Sequence, residues 1–596
     1  MSSLDLAVIG NCAIASLIDR HARHVWFCFP RIDADPVFCS LLDGEAPSRG
    51  FMDVVVRDAV STSQNYVSNT AVLETEITDR QGGRLRISDF APRFQRYGRQ
   101  FRPPLIVRRI EPLAGRPRIT VRIRPVFDYG GSKPTVSVGS NHLRFSGPNS
   151  TLRVTSDMAI AYILEEAEFV LDRPINLFIG SDESIPENPD TLAKSFLSGT
   201  ITYWRSWVRG LSLPFEWQKE VIRSAITLKL CSCEDTGAIV AALTTSIPEA
   251  PHSARNWDYR YCWLRDSYFT VGALNRLGAT RTMEGFIRFL IDAVLRDDDL
   301  QIAPLYPISS GTSSAERIAE SLAGYQGMGP VRVGNAAVSQ VQNDVYGSII
   351  LSAAQMFWDE RLSEAGNASL YHHMRGIGRL SARCALTPDA GPWEFRSRVS
   401  VHTYSAAMCW AAVHRLALIA ERVGEQSDAA EWRMVAAKLR HEILTRATTP
   451  EGWISGVLDA SVADATCLLL PEIGFLPADD ARVAKTIDIV GKRLVRDGFV
   501  MRYDEADDFG NPETAFLVCT FWYADALALA GRRDEAREVF SSVLGISTAT
   551  GLLSEDVEPA SRVLWGNFPQ AYSHVGLIHS AARLSRGWEE ALWRAS

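Results

Sequence analysis

The sequence predicts a protein of two parts, an antiparallel β-sandwich followed by a domain built of α-helices. The chain has 596 residues, and a single hydrophobic core rarely extends beyond roughly 250–300 residues, so more than one domain is expected. Residues 1–190 contain short runs of β-branched and aromatic residues, which Gly, Ser and Asn turns separate. From residue 191 onward, apolar residues recur at the helical period instead.

The first part is predicted to consist of strands. In residues 118–130, Ile119, Val121 and Ile123 alternate with polar residues, as in a strand with one buried face. The other predicted strands cover 25–30, 85–90, 105–113, 142–145, 161–171 and 175–180. Because strand follows strand without a long helical segment, we predict an antiparallel β-sandwich over residues 1–190.

The polar, proline-containing residues 181–190 mark the predicted exit from this sandwich. We expect a helical linker over residues 191–213 and the helical domain over residues 214–596. The helices predicted in that domain cover 215–233, 267–277, 282–296, 341–357, 369–384, 403–422, 427–446, 463–470, 479–496, 514–530, 533–543 and 569–585. Such a set can close into a ring of helical hairpins, although periodicity alone does not establish the closure.

Composition and charge narrow the classes of partner. With a net charge of −8 and a pI of about 5.9, the chain has no surplus of positive charge to attract a polyanion, so we expect no nucleic-acid partner. No apolar run reaches the ~18–20 residues that span a bilayer. The N-terminus also lacks the pattern of a secretory signal, so we expect no membrane partner. The oligomeric state stays open.

The ten cysteines follow no disulfide or zinc framework. Several lie in apolar runs, as small core residues do. Cys231 and Cys233 form a CxC without a second pair at zinc-ligand spacing, and no phosphate-binding, EF-hand or HExxH motif appears. We therefore expect no cofactor and no bound metal. Unpaired cysteines in a chain without a signal are typical of the reducing cytoplasm.

A first candidate constellation is WDYRYCWLRDS at residues 257–267, directly before a predicted helix. Its candidate residues are Trp257, Asp258, Arg260, Tyr261, Trp263, Arg265 and Asp266. A sugar pocket needs this mixture, because rings stack on the apolar faces of a sugar while Asp and Arg bond its hydroxyls. The pattern fits equally well a helix N-terminus with Asp266 near the helix dipole and local ion pairs around it.

A second constellation centres on Glu394, in a loop that follows Gly391 and Pro392. A carboxyl group between two aromatic residues, here Trp393 and Phe395, is partly shielded from water, which favours its protonated form and suits a general acid. Taken alone, however, the pattern is more often that of a surface glutamate that pairs with a nearby arginine, here Arg396 or Arg398.

A third constellation contains Glu555 and Asp556, in a loop before the last predicted helix. A carboxylate there can act as a base that activates water. Taken alone, acidic residues between turn-forming residues more often belong to a solvated loop. Arg502 before a buried helix and Tyr325 in a glycine-rich loop are further candidates.

Taken together, these segments resemble glycoside hydrolase family 15, which contains glucoamylases, glucodextranases and bacterial and archaeal trehalases. The helical part carries four motifs in register: WDYRYCWLRDS (257–267), PWEFR (392–396), RYDEADDFGNPETAFLVCTFW (502–522) and GNFPQAYSHVGLI (566–578). The first part is similar, through residues 9–43, 87–93 and 108–130, to the trehalase-like N-terminal domain of bacterial members. The resemblance thus covers nearly the whole chain.

The resemblance implies a β-sandwich joined by a linker to an (α/α)6 barrel, and an inverting mechanism with two carboxylates. Glu394 is then the general acid and Glu555 the general base. An inverting enzyme leaves room for a water, which predicts carboxyl groups roughly 6.5–9.5 Å apart. The enzyme would remove terminal sugars from α-glucosides.

The same resemblance implies the binding residues. Arg265 and Asp266 would hold hydroxyls of the sugar being cleaved, and Arg502 would lie in the same pocket. The ring contacts would come from Trp393, Trp263 and Tyr325.

The leaving group is the least defined part of the predicted substrate. Ser397-Arg398 replaces a Gly-Gly pair of many relatives, and Ser405-Ala406 replaces a Ser-Lys pair. Without a starch-binding module or a secretion signal, a small cytoplasmic sugar fits better than a polymer, with trehalose first and isomaltose or maltose-type sugars next. Two alternatives stay open, namely a glycoside phosphorylase of the same architecture and a non-catalytic sugar-binding protein.

Overall fold

The N-terminal part of the chain is a sandwich of two antiparallel sheets around one apolar core. The structure is a computed structural model that describes residues 4–295, 302–309 and 311–592. One sheet contains, in spatial order, Leu6–Gly10, Ala15–Asp19, His24–Cys28, Phe51–Val56, Arg118–Arg124 and Phe169–Val170, with Pro36–Phe38 paired to the third of these. The other contains Thr135–Val138, His142–Ser146, Thr151–Ser156, Ile175–Gly180, Leu105–Ala114, Arg84–Phe90, Leu73–Asp79 and Ala59–Tyr66. Ile119 and Val121 point into the core, as the alternation predicted.

One predicted strand is wrong. Within residues 161–171, the chain forms a short helix, Ile160–Leu164, and only Phe169–Val170 is strand. Ile160 and Ile163 both enter the sandwich core. Because residues three apart share a face of a helix but lie on opposite faces of a strand, this apolar spacing specifies a helical turn.

The linker helix, Pro189–Arg209, packs on both parts of the chain. The side chain of Asn188 accepts hydrogen bonds from two backbone N–H groups of the first turn, and proline at the first helical position supports the start. Phe196 packs on the sandwich side, whereas Trp204 belongs to the core of the helical part. Because one helix packs on both cores, the division of the chain into domains stays a prediction.

The helical part contains twelve helical segments in the described residues that form one barrel. They are α1 (Gln218–Leu230), α2 (Ser267–Arg276), α3 (Thr280–Leu295), α4 (Asp344–Ala353), α5 (Ala368–Cys384), α6 (Thr403–Val423), α7 (Gln426–Ala447), α8 (Ala465–Leu469, a 3-10 helix), α9 (Ala481–Arg493), α10 (Leu517–Leu529), α11 (Arg533–Leu544) and α12 (Ala571–Leu584). Further short helices are Ser40–Leu42, Ala336–Ser339, Gln355–Trp358 and Trp588–Leu592. Further short strands are Asp43–Gly44, Phe94–Arg96, Arg99–Phe101, Cys262–Trp263, Leu305–Tyr306, Arg317–Ile318, Gly324–Tyr325, Arg332–Val333, Val495–Arg496, Phe499–Val500, Ala515–Phe516, Asp556–Val557 and Leu564–Trp565.

The even-numbered segments form the inner ring of an (α/α)6 barrel. Each contacts the next even-numbered segment, and α12 contacts α2, so the ring closes. The odd-numbered helices lie outside and pack against the inner ones. Sequence explains the two layers: nearly every residue of α12 is buried, whereas α9 buries only one face, through Val483, Thr486, Ile487 and Val490. A helix apolar all round belongs inside, and an amphipathic one belongs at the surface.

The sandwich and the barrel are joined by direct contacts. Strand Asp43–Gly44 of the sandwich pairs in parallel with Gly324–Tyr325 of the barrel. The indole Nε1 of Trp26 donates to the carbonyl oxygen of Leu243 at 2.8 Å. Among the described residues, no helix has the length and apolar character needed to cross a bilayer.

Candidate active site

The loops that enter the inner helices enclose one cavity of about 1060 Å³, its open mouth included. Seven of the eight predicted site residues line it: Trp263, Arg265, Asp266, Trp393, Glu394, Arg502 and Glu555. The lining residues in the described part of the chain all come from residue 241 onward, so the sandwich supplies none of them.

Glu394 projects from a loop in a left-handed backbone conformation, with φ of 61°. Its Oε1 accepts hydrogen bonds from the indole of Trp263 at 2.7 Å and the guanidinium of Arg265 at 3.4 Å. The side chain keeps 22% of its surface exposed, toward the cavity. The alternative of a surface glutamate paired with its neighbours is wrong, because Arg396 pairs with Glu316 instead.

Glu555 is fully buried and lines the same cavity. Its Oε1 accepts from the hydroxyl of Tyr259 at 2.7 Å and from Arg502 at 3.3 Å, and its Oε2 accepts from the backbone N–H of Asn567 at 3.3 Å. Gly566 is required beside it, since a Cβ there would lie 2.6 Å from the Cβ of Glu555. The alternative of a solvated loop is therefore wrong.

Three buried carboxylates share one guanidinium at this site. Arg502 donates to Glu249 at 3.0 Å and to Asp556 at 3.1 Å, besides its bond to Glu555. Burial, followed by the charges of Asp556 and Glu249, raises the pKa of Glu555, while Arg502 and Tyr259 act in the opposite direction. Burial raises the pKa of Asp556 to about 7. One positive charge thus faces three acids, and a proton is easily retained among them.

Arg265 and Asp266 lie at the start of α2, facing the cavity. The guanidinium Nε of Arg265 donates to Asp344 at 2.9 Å, and Arg265 also bonds Gln342, so its position beside Glu394 is fixed. Burial raises the pKa of Asp266 to about 7. Both side chains present hydrogen-bonding groups to a ligand in the cavity.

The aromatic candidates divide. Trp393 lines the cavity, and its Nε1 donates to Asp464 at 2.8 Å, which fixes the indole plane. Tyr325, predicted as a sugar contact, does not line the cavity. The backbone of Tyr325 pairs with the sandwich strand Asp43–Gly44. Its ring packs edge-on against Trp565, with 6.1 Å between the ring centroids, and is not part of the cavity lining. The sequence of this glycine-rich loop has no periodic pattern, so it does not predict the orientation of the ring.

Sequence reasoning missed two contributors, Tyr259 and Glu249. The missed signal for Tyr259 was alternation: with Trp257 and Trp263 it lines the cavity, whereas Asp258 and Arg260 do not. The interpretation of those two charged residues as sugar-binding groups is wrong. Glu249 lies in a loop without a periodic pattern, so no local signal marked it.

The arrangement suits acid–base chemistry on a polar, uncharged molecule. A partly exposed carboxyl group and a buried one, Glu394 and Glu555, line the same cavity. Aromatic rings and fixed charged groups surround them, as in sites that bind sugars. Two carboxylates flanking a bond are the equipment of glycoside hydrolysis.

Comparison with known proteins agrees with this chemistry. The family model described as glycosyl hydrolases family 15 matches residues 217–582, and the model described as trehalase-like, N-terminal, matches residues 4–168. Similar relatives include the trehalase of Thermoplasma volcanium, 32% identical over 98% of this chain and 93% of that protein. The trehalase of Mycolicibacterium smegmatis is 30% identical over 98% of this chain and 92% of that protein.

The architecture also has a counterpart of known structure. A bacterial glucoamylase in complex with acarbose superposes with a TM-score of 0.70, covering 97% of this chain and 93% of that one. At 15% identity this similarity concerns the fold. The family predicted from the motifs is confirmed: the chain belongs to glycosyl hydrolase family 15, as a trehalase-like glycoside hydrolase with an N-terminal β-sandwich and an (α/α)6 barrel.

Proposed function

We propose that this enzyme hydrolyses α,α-trehalose with inversion, with Glu394 as general acid and Glu555 as general base. The observation that carries the proposal is that both glutamates line one cavity and accept hydrogen bonds from two residues on the same face of a single segment, Trp263 and Tyr259. Relatives named trehalase, about 30% identical over nearly the whole chain, support the choice of sugar.

In the first half of the reaction, Glu394 protonates the glycosidic oxygen as its bond to the anomeric carbon breaks. The Oε1 atom already accepts two N–H bonds, from Trp263 and Arg265. The proposed mechanism therefore uses Oε2, which leaves these two bonds intact, as the atom that delivers the proton. Trp263 and Arg265 then stabilise the carboxylate that remains after the proton has left.

In the second half, Glu555 takes a proton from a water on the opposite face of the sugar, and the water oxygen bonds to the anomeric carbon. Tyr259 and Arg502 fix Oε1 of this carboxylate. Inversion turns the attacked glucose into the β anomer, while the departing glucose keeps its α configuration. The separation of roughly 6.5–9.5 Å between the carboxyl groups stays a prediction.

Arg265 and Asp266 would bind hydroxyls of the terminal glucose, and the ring of Trp393 would cover an apolar face. Fixed side chains favour one orientation of a terminal ring, so we propose that the enzyme acts on chain ends. The ten cysteines are all unpaired in the structure, which supports a place in a reducing compartment such as the cytoplasm.

Time-resolved proton NMR tests this proposal, with trehalose, maltose and isomaltose incubated separately. Equal early amounts of α- and β-glucose from trehalose are expected. β-Glucose from maltose or isomaltose, with trehalose untouched, would keep the mechanism and change the substrate. A sugar phosphate that forms only after phosphate is added would identify a phosphorylase instead.

A further inference from the structure

The active-site segment of residues 257–263 has two faces with different partners. On one face, the hydroxyl of Tyr259 and the indole of Trp263 donate to the two glutamates of the cavity. On the other face, Asp258 and Arg260 are buried, with 0% and 2% of their surfaces exposed. This short stretch of chain therefore links both glutamates to the residues that contact Asp258 and Arg260 on its opposite face.

The partners of Arg260 come from its own segment and from the sandwich. Its Nε and Nη2 donate to the two carboxylate oxygens of Asp258 at 2.9 and 2.7 Å. Three further contacts reach the sandwich: the hydroxyl of Tyr129 at 2.6 Å, the carbonyl of Ala34 at 2.9 Å and the Sγ of Cys28 at 3.6 Å. A guanidinium has five N–H donors, so every one is engaged and three of them hold the sandwich.

We propose that Arg260 is a positioning residue through which the β-sandwich holds the hydrogen-bond donors of both active-site glutamates in place. The inference rests on the proposed function of those glutamates. The sandwich lines no part of the cavity among the described residues, and this segment gives it a route to the chemistry.

The geometry of the contact makes the effect strong. A guanidinium is a planar fork, so loss of one acceptor turns or shifts the whole group rather than one bond. Arg260 directly follows Tyr259, so its displacement also moves the donor of Glu555. A misplacement of about 1 Å at a reacting group can lower a rate about 100-fold, and a partial shift is expected to cost less.

The test is Tyr129→Phe, which removes the sandwich hydroxyl and keeps the ring. We expect kcat to fall about tenfold with KM little changed, because the displaced donors serve the glutamates that react. The hydrogen bond from Tyr259 favours the ionised form of Glu555. Its weakening raises the pKa of the base, so the acidic limb of the pH–rate profile is expected to move to higher pH.

Tyr66→Phe is the matched control. Tyr66 is also a sandwich tyrosine against a barrel arginine: its ring lies 3.4 Å from the guanidinium carbon of Arg223, on α1. Its hydroxyl bonds both backbone groups of Val8, at 2.7 and 2.8 Å. The control therefore loses at least as much stability, yet its kcat and pH profile are expected to match the wild type.

Equal kcat and equal pH profiles in Tyr129→Phe, Tyr66→Phe and the wild type would overturn the inference. Arg260→Lys keeps the charge beside Asp258 but cannot reach all the acceptors, and a larger loss of kcat than in Tyr129→Phe is expected. If Arg260→Lys does not fold, the tyrosine pair still decides.

Crystal structures of the two tyrosine variants separate this inference from the proposed function. In Tyr129→Phe, the distance from the Tyr259 hydroxyl to Oε1 of Glu555, 2.7 Å in the intact protein, is expected to exceed about 3.2 Å. An unchanged distance would overturn the positioning role whatever reaction the cavity performs. A wild type inactive on every α-glucoside, with or without phosphate, would instead reject the proposed function.

Discussion

Glu394 and Glu555 line the same cavity in contrasting surroundings. Glu394 sits on a loop with 22% of its side chain exposed and is oriented by an indole and a guanidinium. Glu555 is fully buried, with Asp556 and Glu249 competing for the same arginine. The difference is consistent with the two roles proposed for them: an acid needs an oriented, accessible proton, whereas a base needs a charge environment that sets when it ionises.

The largest expected effect comes from removing either carboxylate. We expect Glu394→Gln and Glu555→Gln each to lower kcat about 1000-fold, because each deletes one proton transfer. The amide is nearly the same size as the carboxyl group, so thermal unfolding should change little. Steady-state kinetics and a melting curve measure both quantities. An unaltered rate in Glu555→Gln would remove it as the base.

Next comes Tyr259→Phe, which removes the hydroxyl bonded to the base. We expect kcat to fall about 10- to 100-fold, and the acidic limb of the pH–rate profile to move to higher pH, since the lost bond favoured the ionised carboxylate. Tyr261→Phe is the control on the same segment, because its hydroxyl donates to the carbonyl of Ser313. Equal losses in both variants would mean that the segment as a whole was disturbed.

Trp263→Phe makes the corresponding change on the acid side. The indole N–H that orients Oε1 of Glu394 is lost while a ring remains. We expect kcat to fall about tenfold, less than the loss in Glu394→Gln, because the proton is still present but less well oriented. Comparing kcat and KM on the three sugars of the NMR assay checks this. A rise in KM alone would assign Trp263 to binding only.

Asp556→Asn changes the charge around the base without touching the acid. Removing a like charge lowers the pKa of Glu555. Because the base works only when ionised, activity is lost as the pH falls through that pKa, so the acidic limb should move to lower pH, by about one unit. If the acidic limb moves to higher pH instead, then the main effect of the substitution is to displace Arg502, which has lost its bond to Asp556 and no longer stabilises the charge of Glu555. The measurement is the pH dependence of kcat/KM between about pH 4 and 8, a range that contains the acidic limb before and after the expected shift.

The smallest effect is expected at Tyr325, which lies outside the cavity lining. Tyr325→Phe should keep kcat and KM within about twofold of the wild type. A large rise in KM would reinstate the sugar contact that the motif suggested.

Local sequence patterns predicted most of the fold. The alternation around Ile119 specified a strand, and the helical periods placed the barrel helices within a few residues of their observed bounds. The wrong strand has a local cause. In residues 161–171, the β-branched and aromatic residues favour a strand, yet the spacing of Ile160 and Ile163 fits a helical turn. The apolar period is the better guide there than composition.

For the site, the motifs predicted some residues and missed others. Motifs identified Glu394 and Glu555, but their chemical surroundings depend on chain segments distant in sequence. Glu249 carries no local signal, and Arg260 has the composition of a sugar-binding residue although it binds the sandwich. No spacing rule separates a charged residue that faces a cavity from one that faces a domain interface.

The sequence by itself determined the division into a strand-rich and a helical part, the positions of the barrel helices, the family and the choice of the two candidate glutamates, because periodicity and motifs are properties of neighbouring residues. Only the tertiary structure decided what surrounds each glutamate and which face of residues 257–263 reaches the cavity. The physical reason is closure: the ring of inner helices and the packed sandwich bring together groups far apart along the chain. Burial and charge at Glu555 arise from that assembly, and so does the contact between Arg260 and Tyr129.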